Sequence, residues 1–368
     1  MKIHVERGEP SGWWILLVSV AAILAAFVVA GGVFWVYGLN PIHAYVVVAH
    51  DAFSTPGALP EIFRPTIPLL LVGVGLVLAF RAQFYNIGAE GQLLAGAVAA
   101  TWIALFTPIR GTWAIPAMFI AGFAAGALWG LVPSLLKLRL NVNEVISTLM
   151  MNYIALYGVS WLVTGPWKGP SVRGFAYTDL FPDPAWLPLI PGTRVHWPTL
   201  VLGIAFAAGC AFLLSRSRLG FEIRVQGENP DAARYAGISS LKTTILVMVL
   251  SGGAAALAGV GEVAGVQHKL LDPSQVSLGY GYTGIIVAWL ARGKPLATLL
   301  TAGLFGLIYS AGSAMQVSLQ MPFRVTYVFD GLILFFLIGS ERLMSYRIRL
   351  KPTSAVEKAD PASFSGGL

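Results

Sequence analysis

An acid wedged between two apolar runs is the first residue of this chain that could do chemistry: Glu90, within Phe84-Tyr85-Asn86-Ile87-Gly88-Ala89-Glu90-Gly91-Gln92. A carboxylate beside hydrocarbon costs roughly 2.5 to 3.5 kcal/mol on insertion scales, so Glu90 should face a wet cavity or a partner. Gly88 and Gly91 permit an irregular, closely approached backbone. Asn86, Glu90 and Gln92 carry the donors and acceptors that a hydroxylated ring needs, with Phe84 beside them. Two readings fit. Either these residues line or gate a passage for such a solute, or they lock a bundle together, with Glu90 paired to Arg81. The lining reading is carried forward for Phe84, Asn86, Glu90 and Gln92.

A second constellation runs Asn141-Val142-Asn143-Glu144 and continues with Ser147, Thr148, Asn152 and Tyr153. Asn143 is a strong helix N-cap and Glu144 suits a first turn, so capping accounts for that pair. Thr148 and Asn152 lie deeper, and their spacing of four puts them on one helix face, a candidate polar stripe along the same passage. Glu262 and Gln267 supply a further polar element.

The third feature is mechanical. In Gln226-Gly227-Glu228-Asn229-Pro230-Asp231-Ala232-Ala233-Arg234-Tyr235-Ala236-Gly237-Ile238, Asn229 reads as an N-cap and Pro230 as the pre-set first helical residue. Asp231 complements the helix dipole, and Gly237 supplies a left-handed stop. A helix this short does not persist alone in water, so something must pack on it. It is either an ordinary loop helix resting on its own bundle or a docking helix that transmits motion from a soluble motor.

Enzyme signatures are lacking. Gly279-Tyr280-Gly281-Tyr282-Thr283-Gly284 formally matches GxGxxG, but no strand precedes it. Arg292-Gly293-Lys294-Pro295 lacks the leading Gly and the Ser or Thr of a phosphate-binding loop, and the five histidines have no ligand spacing. The sequence therefore points to no cofactor, no metal and no catalytic residue.

The elements that must position these residues are membrane spans. Hydrophobic residues make up 56% of the 368 and charged ones 11%, far below the roughly 25% charged content of soluble domains. The apolar content comes in blocks long enough to cross about 30 Å of hydrocarbon. The expected fold is an all-α polytopic integral membrane protein with about ten spans: 13–37, 65–80, 87–106, 113–136, 145–164, 199–215, 243–265, 282–291, 295–317 and 325–340. The third and eighth are short or Gly-interrupted and are read as candidates for broken or re-entrant segments. Val28-Val29-Ala30 resembles a signal-cleavage site, but the preceding run is long for a signal peptide.

Arg64, Arg110, Lys168, Arg173, Arg194, Lys269 and Arg324 fall on one side of this topology, and the other 17 of the 24 lysines and arginines fall on the opposite side. By the positive-inside rule both termini are cytoplasmic. The same distribution explains the net charge of +7 better than nucleic-acid binding does, because the basic residues gather on no single surface. Domain boundaries follow: a cytoplasmic N-terminus 1–12, a transmembrane domain 13–341 and a cytoplasmic, partly disordered tail 342–368. Within the domain lie an extracytoplasmic loop 165–197 and a cytoplasmic loop 216–242. The outer loop is rich in Trp and Pro, which suits either a platform for an external partner or a belt of interfacial anchors. Gly122, Gly126 and Gly130 leave a smooth strip for close helix packing, and Ala302, Gly306 and Ser310 repeat that spacing.

Three stretches together, Phe80 to Gln92, Asn143 to Tyr153 and Gly227 to Ile238, resemble the branched family of ABC importer permeases that includes ribose-type permeases. They are most similar to the nucleoside group served by basic-membrane-lipoprotein binding proteins. The likeness covers about residues 40 to 340. It implies an all-helical permease in the cytoplasmic membrane, in contact with lipid, that works with a second related permease, an ABC ATPase subunit and an extracytoplasmic solute-binding lipoprotein. It also implies that Gly227, Glu228, Asn229, Pro230, Asp231, Ala232, Ala233, Arg234 and Gly237 form the segment coupled to the ATPase. A departure from the family pattern is Gln83-Phe84-Tyr85 ahead of Asn86, where a smaller or more aliphatic residue is expected; it bears on ring selectivity. The expected function is translocation of nucleosides into the cytoplasm. A simple-sugar ABC permease is the alternative, followed by an ion-coupled secondary transporter using Glu90 and Glu262 as relays. An integral-membrane enzyme would need histidines or paired acids facing one cavity, which the spacing does not offer.

Overall fold

The computed structural model describes residues 2–7, 12–53, 58–109, 111–170, 174–344 and 346–351. The chain forms two compact units, residues 1–44 with 324–368 and residues 45–323. Among the described residues, eight helical segments are long and apolar enough to cross a membrane, including Leu59–Arg81, Ala89–Phe106 and Ser240–Gln267.

The smaller unit pairs α1 (Gly12–Val36) with α14 (Val325–Met344). Phe329 of α14 lies between Phe27 and Phe34 of α1, with centroid separations of 5.9 Å to each. Strand β1 (Lys2–Arg7) runs antiparallel to β2 (Tyr346–Lys351), with Lys2 opposite Lys351 and Arg7 opposite Tyr346. Part of the segment expected to be a tail is thus paired backbone. Residues 352–368 lie outside the described residues, as do 8–11 of the expected N-terminal segment and 171–173 of the outer loop.

The larger unit is built around α3 (Ala58–Arg81), which is buried on every face from Pro65 to Ala79. An all-round apolar helix belongs in the centre of a bundle. Around it stand α7 (Trp197–Arg216), α10 (Ser240–Gly261), α12 (Tyr280–Leu290) and α13 (Thr298–Ser318). Farther out are α4 (Ala89–Phe106), α5 (Ala114–Leu140) and α6 (Glu144–Thr164), with α4 packed on α5, α6 and α10. Helix α5 turns Gly122, Gly126 and Gly130 inward and leaves Ile120 and Leu128 exposed on its other side. The glycine strip receives α10: a Cβ at Gly126 would collide with Gly252 O and Ala256 Cβ, and one at Gly122 with Val260. The second strip works likewise, for a Cβ at Gly306 would strike Thr66 Oγ1 of α3.

Several boundaries differ from the sequence reading. Helix α3 starts seven residues before Pro65 and runs through Pro65 and Pro68. Neighbouring helices in a bundle can accommodate such prolines, and here α13 packs against that turn through Gly306, close to Ile62 O and Thr66. Helix α2 (Pro41–Phe53), capped by Asn40 Oδ1, has no counterpart among the expected spans. Helix α10 passes into a π-helical segment, Glu262–Gln267, which His268 ends at φ +54°. Next comes α11 (Pro273–Ser277), then a break at Leu278 and Gly279 with φ of +45° and +75°, then α12. With 11 residues, α12 is about 16 Å long against roughly 30 Å of hydrocarbon, too short to cross alone.

Candidate functional site

The start of α4 organises the centre of the larger unit. A helix begins with orphan N–H donors, and those of α4 are capped from elsewhere. Gly88 N–H donates to Asn86 Oδ1 (3.0 Å), and Gly91 N–H donates to Asn152 Oδ1 on α6 (2.8 Å). Asn152 Nδ2 donates in turn to Ile87 O (2.8 Å) and to Tyr282 Oη on α12 (3.4 Å). Thr148, one turn earlier, accepts from Ile87 N–H (3.2 Å) and donates to Glu144 O (2.6 Å). The polar face of α6 thus clasps the backbone of residues 87 to 91.

Asn86 and Gln92 complete the cluster. Their amides pair reciprocally, and Asn86 Nδ2 also donates to Ser251 Oγ of α10 (3.1 Å). Glu90 Oε2 accepts from Gly281 N–H in the first turn of α12 (2.8 Å). Arg81 is not its partner, because the Arg81 Nε–H donates to Gly293 O (2.9 Å). Phe84 is buried, with the Lys137 ammonium 4.9 Å from its ring centroid, and Lys137 Nζ also bonds Glu144 Oε1 at 2.6 Å. Asn143 does cap α6, accepting from Val145 N–H and Ile146 N–H.

All six residues read as lining a passage therefore come together, from segments more than 50 positions apart. Phe84, Asn86, Glu90, Gln92, Thr148 and Asn152 are each 5% exposed or less, and their polar atoms bond chiefly to one another and to backbone. Ser251 and Tyr282 belong to the same cluster but carry no sequence pattern that singles them out.

At one end of the unit the loop between α7 and α10 folds as two short helices, α8 (Arg218–Glu228) and α9 (Pro230–Tyr235). The sequence reading contained α9 but not α8, which Ser217 caps through Gly220 N–H at 2.9 Å. Asn229 ends α8 and caps α9, its Oδ1 accepting from Asp231 N–H and Ala232 N–H at 3.0 Å each. Gly237 adopts φ +73°, and Ile238 N–H closes the helix on Ala233 O (2.9 Å). Ala233 is the buried anchor. Glu228, Asn229, Pro230, Asp231, Ala232, Arg234 and Gly237 are exposed, with Gly227 half-buried.

Residues 59–338 match the profile of the family described as branched-chain amino acid transport system / permease component. The chain belongs to that family. It is similar to the glucose ABC transporter permease protein TsgB13 of Haloferax volcanii, with 32% identity covering 100% of this chain and 98% of the relative. It also resembles the guanosine permease NupP of Bacillus subtilis (30% identity, 92% of this chain and 98% of the relative). The nucleoside permease NupB of Lactococcus lactis is 29% identical over 88% of this chain and 90% of its own. This chain is thus a multi-pass membrane permease component of a transport system.

The permease holds a second polar cluster, of which the sequence reading singled out Glu262 but not its neighbours. Arg64 Nε, both ring nitrogens of His196, Thr199 Oγ1 and both carboxylate oxygens of Glu262 are buried without a hydrogen-bond partner among the described residues. His196 packs on Gly265 and Gly261 where the 165–197 loop re-enters the bundle at α7. Burial, and then the positive charge of Arg64, push the His196 imidazole down to about 4 from its ordinary 6.5. The 165–197 loop itself is fastened nearby: Phe181 N–H donates to His268 O (2.8 Å), Leu187 N–H to Ala264 O (3.0 Å), and Trp186 stacks on the His268 ring at 4.1 Å.

Proposed function

We propose that this permease forms the membrane pathway of an ATP-driven importer for nucleosides, beside a second related permease, an ABC ATPase subunit and an extracytoplasmic solute-binding protein. The observation that carries the reading is the exposed, doubly capped α9. It is too short to be stable by itself, held by its caps and one buried alanine, and it offers its polar face outward as a docking helix needs. Similarity to NupP and NupB, named for guanosine and nucleosides, supports the solute class. Similarity to TsgB13, named for glucose, supports a simple sugar as the second reading.

The polar cluster serves the pathway by fixing α4, α6 and α12 around it, so that Phe84, Asn86, Glu90, Gln92, Thr148 and Asn152 set its shape. Ten crossings with both termini cytoplasmic follow when the eight long spans are joined by Val325–Ser340 and by α11 with α12 as one broken crossing. The lysine and arginine distribution supports that orientation. ATP hydrolysis resides in the partner ATPase.

Uptake of labelled nucleosides and glucose into cells lacking only this subunit, with and without its restored gene, tests the reading. Restored nucleoside uptake that depends on ATP is the expected result. Uptake that follows an ion gradient instead, or ATPase activity from the isolated chain, would overturn it.

A further inference from the structure

The last residue of α3, Arg81, touches two parts of the larger unit through different atoms. Its backbone carbonyl abuts Gly227 in the last turn of α8, so that a Cβ at Gly227 would collide with Arg81 O. Its Nε–H donates to Gly293 O (2.9 Å) in the left-handed turn after α12, where Gly293 has φ +69° and a Cβ would lie 2.6 Å from Arg81 Nε. Its chain continues through residues 82–89 to Glu90, which bonds Gly281 at the far end of α12. A Cβ at Gly281 would collide with the Glu90 backbone.

Helix α12 is therefore gripped at both ends by one continuous stretch, residues 81 to 90. That stretch meets the docking loop at Gly227, which lies against Arg81 and Ala82. Backbone against backbone leaves no side chain to rotate away, so a displacement of α8 is passed on at close-packed density rather than absorbed. A steric contact can only push, but the hydrogen bond from Arg81 to Gly293 can also pull. On the other side Gln226 Nε2 bonds Thr244 Oγ1 of α10 (3.0 Å), and Asn229 joins α8 to α9 with no intervening linker.

We propose that Arg81 is the positioning residue through which the docking loop drives α12, the half-crossing that moves with it during transport. This rests on the importer reading and deepens it, by naming where motion enters the bundle and which element receives it.

The test uses the whole transporter, permease with its partner subunits, in proteoliposomes. For Arg81→Ala the expected result is an assembled complex with unchanged basal ATP hydrolysis and solute transported per ATP lowered about tenfold, within the usual range of coupling between sites. Arg81→Lys, which can still donate to Gly293 O, recovers part of that loss. Gly227→Ala, which wedges the contact apart, reproduces the Arg81→Ala defect. Transport per ATP at the unsubstituted level in Arg81→Ala would overturn the proposal.

Should Arg81→Ala fail to assemble, spin labels in the otherwise unaltered transporter decide. Labels at Arg218→Cys on α8 and Trp289→Cys on α12 should keep one distance with and without ATP, while each moves relative to Leu128→Cys on α5. A changing distance between α8 and α12 would sink the idea. If the unsubstituted transporter shows no ATP-dependent uptake, the importer reading fails instead.

Discussion

Asn86 and Gln92 pair through both ends of their side-chain amides, Nδ2 to Oε1 at 2.9 Å and Nε2 to Oδ1 at 3.2 Å. Each amide satisfies the other in a site shut off from bulk solvent, and the pair ties the loop after α3 to the end of the first turn of α4. Replacing Asn86 strands the donor and acceptor of Gln92 in a buried site, which costs about 1 to 3 kcal/mol per unsatisfied group. Asn86→Leu should therefore lower the melting temperature of the detergent-purified permease more than Asn86→Leu combined with Gln92→Leu does. A double substitution as damaging as the two singles added together would show that the pair is not coupled.

Asn152 caps α4 from a different helix. Its side chain accepts from Gly91 N–H and donates to Ile87 O, so Asn152→Leu leaves both backbone groups orphaned and should cost about 2 kcal/mol. Tyr282→Phe removes only the 3.4 Å contact to Asn152 and should stay within about 0.5 kcal/mol, since so long a bond contributes little. Comparing thermal melts of the two variants checks the ranking, and equal losses would refute it.

What the sequence disclosed was whatever is local along the chain. The glycines of α5 recur every four residues, and Asn229, Pro230 and Gly237 spell out a short capped helix within nine positions. The residues of the central cluster were also recognisable, because a polar side chain among apolar ones is conspicuous wherever it finally packs. Their partners were not. Nothing in the spacing tells that Glu90 meets Gly281, 191 positions away, rather than Arg81, nor that Arg81 reaches Gly293. Arg64, His196, Thr199 and Glu262 come from three separate segments and share no spacing at all. Helix α8 was overlooked because its charged surface reads as loop until Gly220 and Gly227 are seen against Leu213 and Arg81.

If α9 docks the ATPase as proposed, the Asn229 cap matters to transport beyond its contribution to stability. An N-cap of this kind contributes about 0.5 to 2 kcal/mol, and α9 has only six residues, too few to hold without it. Asn229→Ala should raise amide hydrogen exchange across residues 230–238 and lower ATP-driven uptake, while the melting temperature of the bundle stays put. Asn229→Asp keeps an oxygen acceptor and should retain most of the uptake. Protection at 230–238 that survives the alanine substitution would show the helix is held by Ala233 burial alone.

His196 gives the permease a pH dependence whose sign can be worked out. Its pKa is about 4 in the folded chain and about 6.5 when unfolded, so between those values the unfolded chain binds a proton that the folded one refuses. Stability from this group is complete above about pH 6.5 and is lost as pH falls toward 4, at up to about 1.4 kcal/mol per pH unit. Carboxylates titrate over the same range, so the readout is the difference between the unsubstituted permease and His196→Gln. Melting temperatures from pH 7.5 down to 4.5 should fall less steeply for His196→Gln. Parallel slopes would mean that the imidazole is protonated in place, and that Arg64 does not repel it.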